Sequence, residues 1–473
     1  MISKNFKEYL YSICLLSIFI TVSACKKSAD EVSGKPEEKM AADGFNFGTT
    51  RDVSINVRLL TNNNEPIIGA RINFYAPGRT NIDESLFTAV SDENGYVRST
   101  VAFPSFLDTL LIDPAYIGLM RYAKSFISGN SINAVIGGAT GSSGNIVPSS
   151  RLQGSYMSSI YPTNNFRNLN GTVYRYMGSY DSWGRPNYLD PVADVISAGF
   201  LSRLNASLPE FGNLPVRSPS FFNSNVNLNI HVTQTADVWI TFVSEGTSFR
   251  NALGYFKYPT NNPPANAAAI DSVFLVFPNS SLINSAGNLR SGDRVKIGRF
   301  NAGTSIGFVL IQGGFNGTSV NVNNTKFYST QSFNSVSESN AAKYQHGVQL
   351  YDATEQLLVF GFEDLIRSGN SSDDDYNDLV FYTKANPVTA INVNNMPPVN
   401  VPADSDGDGV SNDVDAFPTN PSLAYVYHYP SASTFNTVGY EDLWPNRGDF
   451  DFNDMLVRQR FTFYANAQNN VVN

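Results

Sequence analysis

A short acidic motif occurs twice in the C-terminal half of this 473-residue chain. Each copy begins with Gly, an aromatic residue, Glu, Asp and Leu, and continues after a spacer with the pattern Asp-x-Asp-x-Asn-Asp. The spacer is longer in the first copy. Corresponding positions are Glu363, Asp364, Asp373, Asp375, Asn377 and Asp378 in the first copy and Glu441, Asp442, Asp449, Asp451, Asn453 and Asp454 in the second. A repeat of this length is far beyond chance, so we interpret it as one motif used twice.

The side chains of this motif favour a hard cation. Oxygen ligands at i, i+2, i+4 and i+5 surround a small sphere when the backbone turns, and Ca²⁺ takes six to eight oxygens at about 2.3–2.6 Å. Without a cation, two carboxylates about 4 Å apart repel by about 4 kcal/mol at an effective dielectric constant of 20. Zinc and copper are disfavoured, because the chain has 3 His and 2 Cys. We therefore predict calcium at both copies; the alternative is a solvated acidic turn.

A third acidic segment, residues 404–415, lies between the two copies and matches the start of an EF-hand loop. Asp occupies positions 1, 3 and 5, and Gly occupies position 6, where the loop turns sharply. Position 12 is Asp, and prolines on both sides argue against flanking helices, so the segment resembles a thrombospondin type 3 calcium repeat. The predicted ligands are the carboxylates of Asp404, Asp406, Asp408 and Asp415, the backbone carbonyl of Val410, and Asn412.

Alternating apolar residues indicate the fold class. Val53, Ile55 and Val57 alternate with polar residues, and a period of two predicts a strand with one buried face. Similar strand patterns, separated by turn residues, return from Asn225 onwards. We predict a mainly β chain of β-sandwich or jelly-roll modules, with one or few short helices.

Residues 118–224 carry weaker patterns. Residues 129–150 are rich in Gly, Ser and Asn and are predicted to form a long surface loop. The region is also rich in tyrosine, which we interpret as core and strand packing; an aromatic ligand-binding surface is the alternative. The tyrosines are Tyr156, Tyr161, Tyr174, Tyr176, Tyr180 and Tyr188.

One helix is predicted in this region. Ile196, Phe200 and Leu204 recur at i, i+4 and i+8. The helix is expected to run from about Asp194, as its N-cap, to Ser207. A proline follows at position 209 and ends it.

The N-terminus has the pattern of an export signal. Two lysines precede an apolar run that ends at Val22 and is too short to span a bilayer. The sequence Val-Ser-Ala-Cys that ends at Cys25 resembles the bacterial lipobox, which implies lipidation of Cys25; the alternative is an ordinary signal peptide that contains a Cys. The polar, charged stretch that follows is predicted to be a flexible tether. We expect an exported outer-membrane lipoprotein, on the cell surface or the periplasmic face.

The remaining residue patterns argue against catalysis and against a nucleic-acid partner. The net charge of −9 opposes binding to phosphates. Ser305 lies in a Gly-x-Ser-x-Gly sequence, but the residues after it favour a strand, whereas a hydrolase elbow needs a helix there. His346 and His428 precede the acidic motifs. One interpretation is that they orient a metal-bound carboxylate; the interpretation that we favour is that they make polar contacts at strand ends. No catalytic residue is predicted.

Three further resemblances suggest a domain organisation. Residues 51–117, with Pro-Ile-Ile-Gly-Ala at 66–70, resemble the carboxypeptidase regulatory-like β-sandwich. The region with Ala-Phe-Pro at 416–418 and Glu-Asp-Leu-Trp-Pro at 441–445 resembles the opening of the LruC-type lipoprotein domain, and the part before it resembles a bacterial extracellular β-domain of unknown function. Because the LruC-type domain continues well past its acidic loop, the resemblance implies a truncated chain. The predicted parts are a signal peptide (1–24), the tether (25–50), the first β-sandwich (51–117), a Tyr-rich region (118–224), a calcium-binding β-sandwich (225–386), a Pro/Asn-rich linker (387–403), the calcium-repeat loop (404–418) and the start of the LruC-type domain (419–473).

These observations favour a non-enzymatic, calcium-binding surface lipoprotein with a structural or adhesion role. Its expected partners are the membrane, through Cys25, and a glycan or protein ligand on its surface. The alternatives are a glycan-binding surface protein and a hydrolase of extracellular polysaccharide.

Overall fold

The chain is represented by a computed structural model, and its described residues form two compact units. One unit comprises residues 48–436 with 459–473, and the other comprises residues 437–458. The predicted signal peptide, Cys25 and most of the predicted tether lie outside the described residues. The structure describes residues 48–81, 84–147, 159–160, 162, 166–167, 171–210, 212–222, 228–369, 371–412, 414–430, 432, 434–443, 451–468 and 470–472.

Two sheets that share one apolar core form the N-terminal sandwich. Its strands are β1 (Thr50–Leu60), β2 (Arg71–Tyr75), β3 (Phe87–Val90), β4 (Tyr96–Pro104), β5 (Thr109–Asp113), β6 (Ala123–Phe126), β7 (Ser131–Gly137) and β8 (Ser143–Gly144). One sheet has the order β4-β1-β7-β8 and the other β3-β2-β5-β6. Val53, Ile55 and Val57 of β1 face the core with Ile72 and Phe74 of β2, as the period of two predicts.

The structure corrects the predicted surface loop at residues 129–150. The strands β7 and β8 lie within it, and β7 pairs in parallel with β1. Ile132, Ala134 and Ile136 alternate and are buried, which places them in the same core as β1. The Gly, Ser and Asn residues around these three positions masked the alternation. The sandwich therefore continues beyond residue 117, where the sequence analysis ends it.

A second, larger sandwich carries the first acidic motif. Its strands are β9 (Phe166–Arg167), β10 (Val173–Tyr176), β11 (Ile230–Val232), β12 (Ala236–Glu245), β13 (Ala252–Pro259), β14 (Ser272–Phe277), β15 (Arg294–Phe300), β16 (Thr304–Ile311), β17 (Lys326–Tyr328), β18 (Gly347–Asp352), β19 (Leu357–Phe362) and β20 (Leu379–Asn386). The orders are β11-β16-β13-β14-β10-β9, with β17 beside β16, and β15-β12-β20-β19-β18. Phe242, Phe308, Phe360 and Phe381 pack in the core that the two sheets share.

Helix α1 (Ala198–Ser207) covers the outer face of the five-stranded sheet. Phe200, Leu201 and Leu204 are buried in the core that also contains Ile117 of the N-terminal sandwich and Val359 of β19. The helix thus packs against both sandwiches. A single short turn of helix, α2 (Leu214–Arg217), follows it.

The predicted N-cap of this helix was wrong. Ser197 is the N-cap, and its Oγ accepts a hydrogen bond from the Phe200 N–H at 3.0 Å. The carboxylate of Asp194 instead accepts hydrogen bonds from Thr241 Oγ1 (2.7 Å) and the Tyr382 hydroxyl (2.9 Å). Asp194 is therefore engaged by two strand residues of the five-stranded sheet and leaves the helix terminus to Ser197.

Of the six tyrosines named above, the four that the structure describes pack inward. Tyr174, Tyr176 and Tyr180 belong to an apolar cluster with Phe256 of the seven-stranded sheet. Tyr188 donates its hydroxyl to backbone carbonyls of β14. Tyr156 and Tyr161 lie outside the described residues. For the four described residues, core packing is the correct interpretation.

Two short strand pairs lie in the C-terminal part of the described chain. They are β21 (Tyr425–Tyr429) with β24 (Phe461–Ala465), and β22 (Asn436–Tyr440) with β23 (Met455–Gln459). The mainly β fold class is as predicted. Among the described residues, no helix combines the length and the apolar character needed to cross a membrane.

Candidate metal centre

The two halves of the first acidic motif meet because neighbouring strands carry them. Glu363 and Asp364 follow β19, and the Asp-rich half directly precedes β20. These strands pair antiparallel, with Phe362 opposite Leu379. The ladder therefore brings the end of β19 next to the start of β20, and the spacer closes the loop between them.

Short-range contacts fix the acidic loop. The Asp364 N–H donates to Asp378 Oδ2 at 2.8 Å, and the Asn377 N–H donates to Asp375 Oδ1 at 3.1 Å. Tyr376 adopts a φ of 60°, in the left-handed region. A Cβ on Gly361 would lie 2.4 Å from the Tyr376 carbonyl oxygen, so this position requires glycine.

The second copy of the motif repeats each of these features. The Asp442 N–H donates to Asp454 Oδ2 at 3.0 Å, and the Asn453 N–H donates to Asp451 Oδ1 at 3.3 Å. Phe452 has a φ of 48°, and a Cβ on Gly439 would lie 2.4 Å from its carbonyl oxygen. The sequence repeat is therefore also a structural repeat.

The carboxylates of Glu363 and Asp364 in the first copy are buried and interact electrostatically with Asp373. Glu363 and Asp364 are 0% and 1% exposed. Glu363 Oε2 and Asp364 Oδ1 are buried and have no hydrogen-bond partner among the described residues. Burial raises the pKa of Glu363 to about 8, and the negative charge of Asp373 adds to the effect. Such oxygens are costly to leave unpaired in a protein interior.

The pKa values of the other carboxylates of the loop are raised as well. Burial raises the pKa of Asp364, Asp373, Asp375 and Asp378. Neighbouring carboxylates raise each of these pKa values further, and Asp375 is raised most by Glu210 after burial. A bound dication would remove this mutual repulsion.

Glu210 is a site residue that the sequence analysis missed. It lies just beyond α1, and its carboxylate offers an oxygen within 4.8 Å of ligand oxygens on Asp373 and Asp375. The Asn377 side-chain amide donates to Glu210 Oε2 at 3.3 Å. No local motif marks Glu210, because only the packing of α1 on the sheet brings it to the loop. Three converging carboxylates suit the oxygen shell of Ca²⁺.

The loop at residues 404–415 also folds around its carboxylates. Asp404, Asp406 and Asp408 offer oxygens within 4.8 Å of one another. The two oxygens of Asp404 accept from the N–H groups of Gly407 (2.8 Å) and Gly409 (3.0 Å), which have φ values of 77° and 94°. The loop is thus turned by glycine, as the EF-hand pattern predicts.

The other predicted ligands of this loop have varied surroundings. Burial raises the pKa of Asp408 and Asp415, and other aspartates of the loop add to the effect. Oδ2 of Asp415 is buried without a hydrogen bond within the described residues. The side chain of Val410 packs in a small core, and Asn412 Oδ1 accepts from the Ser405 N–H at 3.0 Å.

The second copy forms a more exposed cluster. Glu441, Asp442 and Asp454 offer oxygens within 4.8 Å of one another, and Glu441 alone of the three is buried. Asp451 and Asn453 are exposed. Asp449 lies outside the described residues.

Within the part of the chain that the structure describes, the hydrogen bonds of the two candidate histidines go to groups other than the acidic side chains of the motifs. His346 is fully buried; its Nδ1 lies 3.0 Å from the Glu363 carbonyl oxygen and its Nε2 lies 2.8 Å from Glu338 Oε1. His428 Nδ1 lies 3.1 Å from Thr462 Oγ1. Both are polar contacts of the kind that the sequence analysis favoured.

Ser305 lies inside β16, as its flanking sequence predicts. It does not lie at a strand-to-helix turn. It is fully buried, and its Oγ lies 2.7 Å from His231 Nδ1 and 2.8 Å from Thr260 Oγ1. His231 and Ser305 face each other across the β11–β16 pair. The contact joins two paired strands.

Two protein families match parts of this chain. A domain of unknown function (DUF4114) matches residues 300–386, which include the first acidic motif. A domain of unknown function (DUF8469) matches residues 51–136 in the N-terminal sandwich. Comparison with curated proteins and with solved structures gives no match.

Proposed function

We propose that this chain is a non-enzymatic calcium-binding protein in which bound ions stabilise the ends of its β modules. The observation that carries the proposal is a pair of buried oxygens, on Glu363 and Asp364, that have no hydrogen-bond partner among the described residues and lie next to further carboxylates of the same loop. Burial and mutual repulsion disfavour their ionised forms. A divalent cation with a preference for oxygen ligands offsets both effects.

The sites at the second copy and at residues 404–415 extend this proposal to three ions. The second copy has the local hydrogen bonds of the first, and the loop between them has the turn and spacing of an EF-hand loop. Extracellular calcium modules bind with constants of about 10⁻⁴–10⁻³ M. At about 1 mM Ca²⁺ each such site adds roughly 0.4–1.4 kcal/mol. Several sites together decide whether the loops are ordered.

Export to a calcium-rich exterior is part of the same proposal. The lipobox-like sequence at Cys25 supports a lipid anchor in the outer membrane, and the net charge of −9 is consistent with a surface that does not bind nucleic acid. The role we propose is structural or adhesive, toward a glycan or protein ligand. Tyr174, Tyr176, Tyr180 and Tyr188 pack inward, so they give no support to a glycan site of stacked aromatic side chains.

The proposal is tested by metal analysis of the purified mature chain together with thermal unfolding. We expect bound calcium after dialysis against Ca²⁺ and a lower melting temperature in EGTA. The variant Asp375→Asn is expected to bind fewer ions, whereas Glu84→Gln, which alters an exposed ion pair with Arg79, serves as the matched control. An unchanged melting temperature in EGTA and no bound metal would refute the proposal.

A further inference from the structure

The segment after helix α1 is anchored to the acidic loop by several contacts. The Leu214 N–H donates to the Asp374 carbonyl at 2.8 Å. A Cβ on Gly361 would lie 3.1 Å from Leu208 Cδ1, so Leu208 packs closely against the motif. Glu210 lies between these two contacts and directs its carboxylate to Asp373 and Asp375. Residues 208–210 and 212–214 are therefore part of the wall of the candidate metal centre.

The same glutamate is also held by the N-terminal sandwich. Arg121 forms a bidentate ion pair with Asp113 at the end of β5, with Nη2 at 2.8 Å from Oδ2. Its other terminal nitrogen forms an ion pair with Glu210. Asp113 is fully buried and the Arg121 side chain is 10% exposed, so this arrangement is rigid and largely dry. A bidentate pair of this kind fixes the guanidinium plane.

The charges of this group are not balanced. Arg121 pairs with Asp113 and Glu210, and Glu210 in turn offers an oxygen within 4.8 Å of ligand oxygens on Asp373 and Asp375. Asp374 does not compete for the Arg121 guanidinium, because that residue pairs with Arg367 and Lys343. Without a further cation, repulsion acts between Glu210, on the side of α1, and the acidic loop. A dication at the loop reverses the sign of that interaction.

We propose that the ion at the first acidic motif acts as a clamp between the two sandwiches, with Glu210 as the ligand that links them. This inference rests on the proposed calcium binding and adds what the bound ion does for the contact between the two sandwiches. The independent sign of a ligand here is the buried Oε2 of Glu363, which has no hydrogen-bond partner among the described residues. Of the neighbouring charges, that of Asp373 in the same cluster acts most strongly on this carboxylate. With the ion bound, the chain from Asp113 through Arg121 and Glu210 to the acidic loop is continuous. Without it, Glu210 still accepts the Asn377 amide at 3.3 Å, but its carboxylate faces those of Asp373 and Asp375 with no cation between them.

Hydrogen exchange of the full mature chain, read by mass spectrometry with and without Ca²⁺, tests the clamp. Calcium is expected to slow exchange about tenfold or more in residues 109–122 and 205–217, since both lie along the link. In Glu210→Gln, which keeps the side-chain shape, we expect calcium affinity at this site to fall about tenfold or more and the slowing at 109–122 to disappear. Circular dichroism checks that the variant is folded, and Glu210→Asp is expected to restore part of both effects.

The matched control is Asp404→Asn, which removes a ligand of the separate loop at residues 404–415. It is expected to lower the number of bound ions while calcium still slows exchange at residues 109–122. If wild-type protein binds calcium but exchange at 109–122 is unchanged, or if Glu210→Gln binds with wild-type affinity, the clamp is wrong and the proposed calcium binding stands. If the wild-type protein binds no calcium, both are wrong.

Discussion

Replacing Glu363 by glutamine is expected to stabilise the protein without calcium and to weaken its stabilisation by calcium. Glutamine keeps the shape of the side chain and removes its charge. The wild-type carboxylate is fully buried, one of its oxygens has no hydrogen-bond partner among the described residues, and Asp373 lies beside it. A charge in these surroundings favours the unfolded chain unless a cation binds. Whether the substitution stabilises or destabilises the protein therefore shows whether a cation is bound next to Glu363.

The magnitude follows from the pKa of Glu363, which burial raises from 4.5 to about 8. A carboxyl group with a higher pKa in the folded state contributes stability that is fully present below pH 4.5 and is lost as the pH rises through 8. At about 1.4 kcal/mol for each pKa unit, the loss at pH 8 is at most on the order of 4 kcal/mol. Neighbouring carboxylates that share protons with Glu363 reduce this loss of stability. We expect Glu363→Gln to be roughly 2–4 kcal/mol more stable than wild type at pH 8 in EGTA, and equal to it near pH 4.5.

Urea unfolding at pH 5 and pH 8, in EGTA and in excess Ca²⁺, measures these differences. Calcium at about 100 times its dissociation constant adds about 2.7 kcal/mol to the wild-type protein for each site. Glu363→Gln is expected to gain less, because one charged ligand is lost. The control is Glu84→Gln, whose carboxylate is exposed and outside the acidic clusters. If Glu363→Gln were less stable than wild type at pH 8 in EGTA, the assignment of a repelled, buried carboxylate would be wrong.

Two further substitutions test the loop and the helix. Gly361→Ala places a Cβ 2.4 Å from the Tyr376 carbonyl oxygen. We therefore expect a loss of about 2–3 kcal/mol in the free energy of unfolding, measured in urea, and weaker calcium binding, measured by titration calorimetry. The matched control is Gly369→Ala, whose Cβ would lie 3.4 Å from the nearest atom, and equal losses in the two variants would contradict the steric argument. Ser197→Ala removes the N-cap hydrogen bond of α1 together with the hydrogen bond from Ser197 Oγ to Glu355 Oε1, and is expected to cost about 1 kcal/mol or more. An unchanged urea midpoint for that variant would show that the cap contributes nothing.

The sequence patterns succeeded where the relevant contacts are local. The period of two in β1 predicted its buried face, since neighbouring side chains of a strand point to opposite sides. The Asp-x-Asp-x-Asn-Asp pattern predicted one structure used twice, because its hydrogen bonds join residues close in the chain, such as Asp375 with Asn377 and Asp451 with Asn453. Glycine positions in the loop at 404–415 likewise follow from local backbone conformation.

The failures have a common physical cause, which is competition from distant partners. Asp194 has the chemistry of an N-cap, but Thr241 and Tyr382 bind its carboxylate, and the cap passes to Ser197. Residues 131–137 have the composition of a loop, but pairing with β1 makes them a strand. Neither partner can be recognised from the neighbouring sequence.

For the candidate metal centre, the sequence alone determined which oxygens are available and how the loop turns around them, because those features depend on residue type and on contacts over a few positions. Tertiary structure alone decided how deeply the carboxylates of Glu363 and Asp364 are buried and that Glu210, just beyond α1, meets Asp373 and Asp375. Burial and convergence depend on how the helix and the sheets pack, and these set the electrostatic free energy that a bound cation would offset.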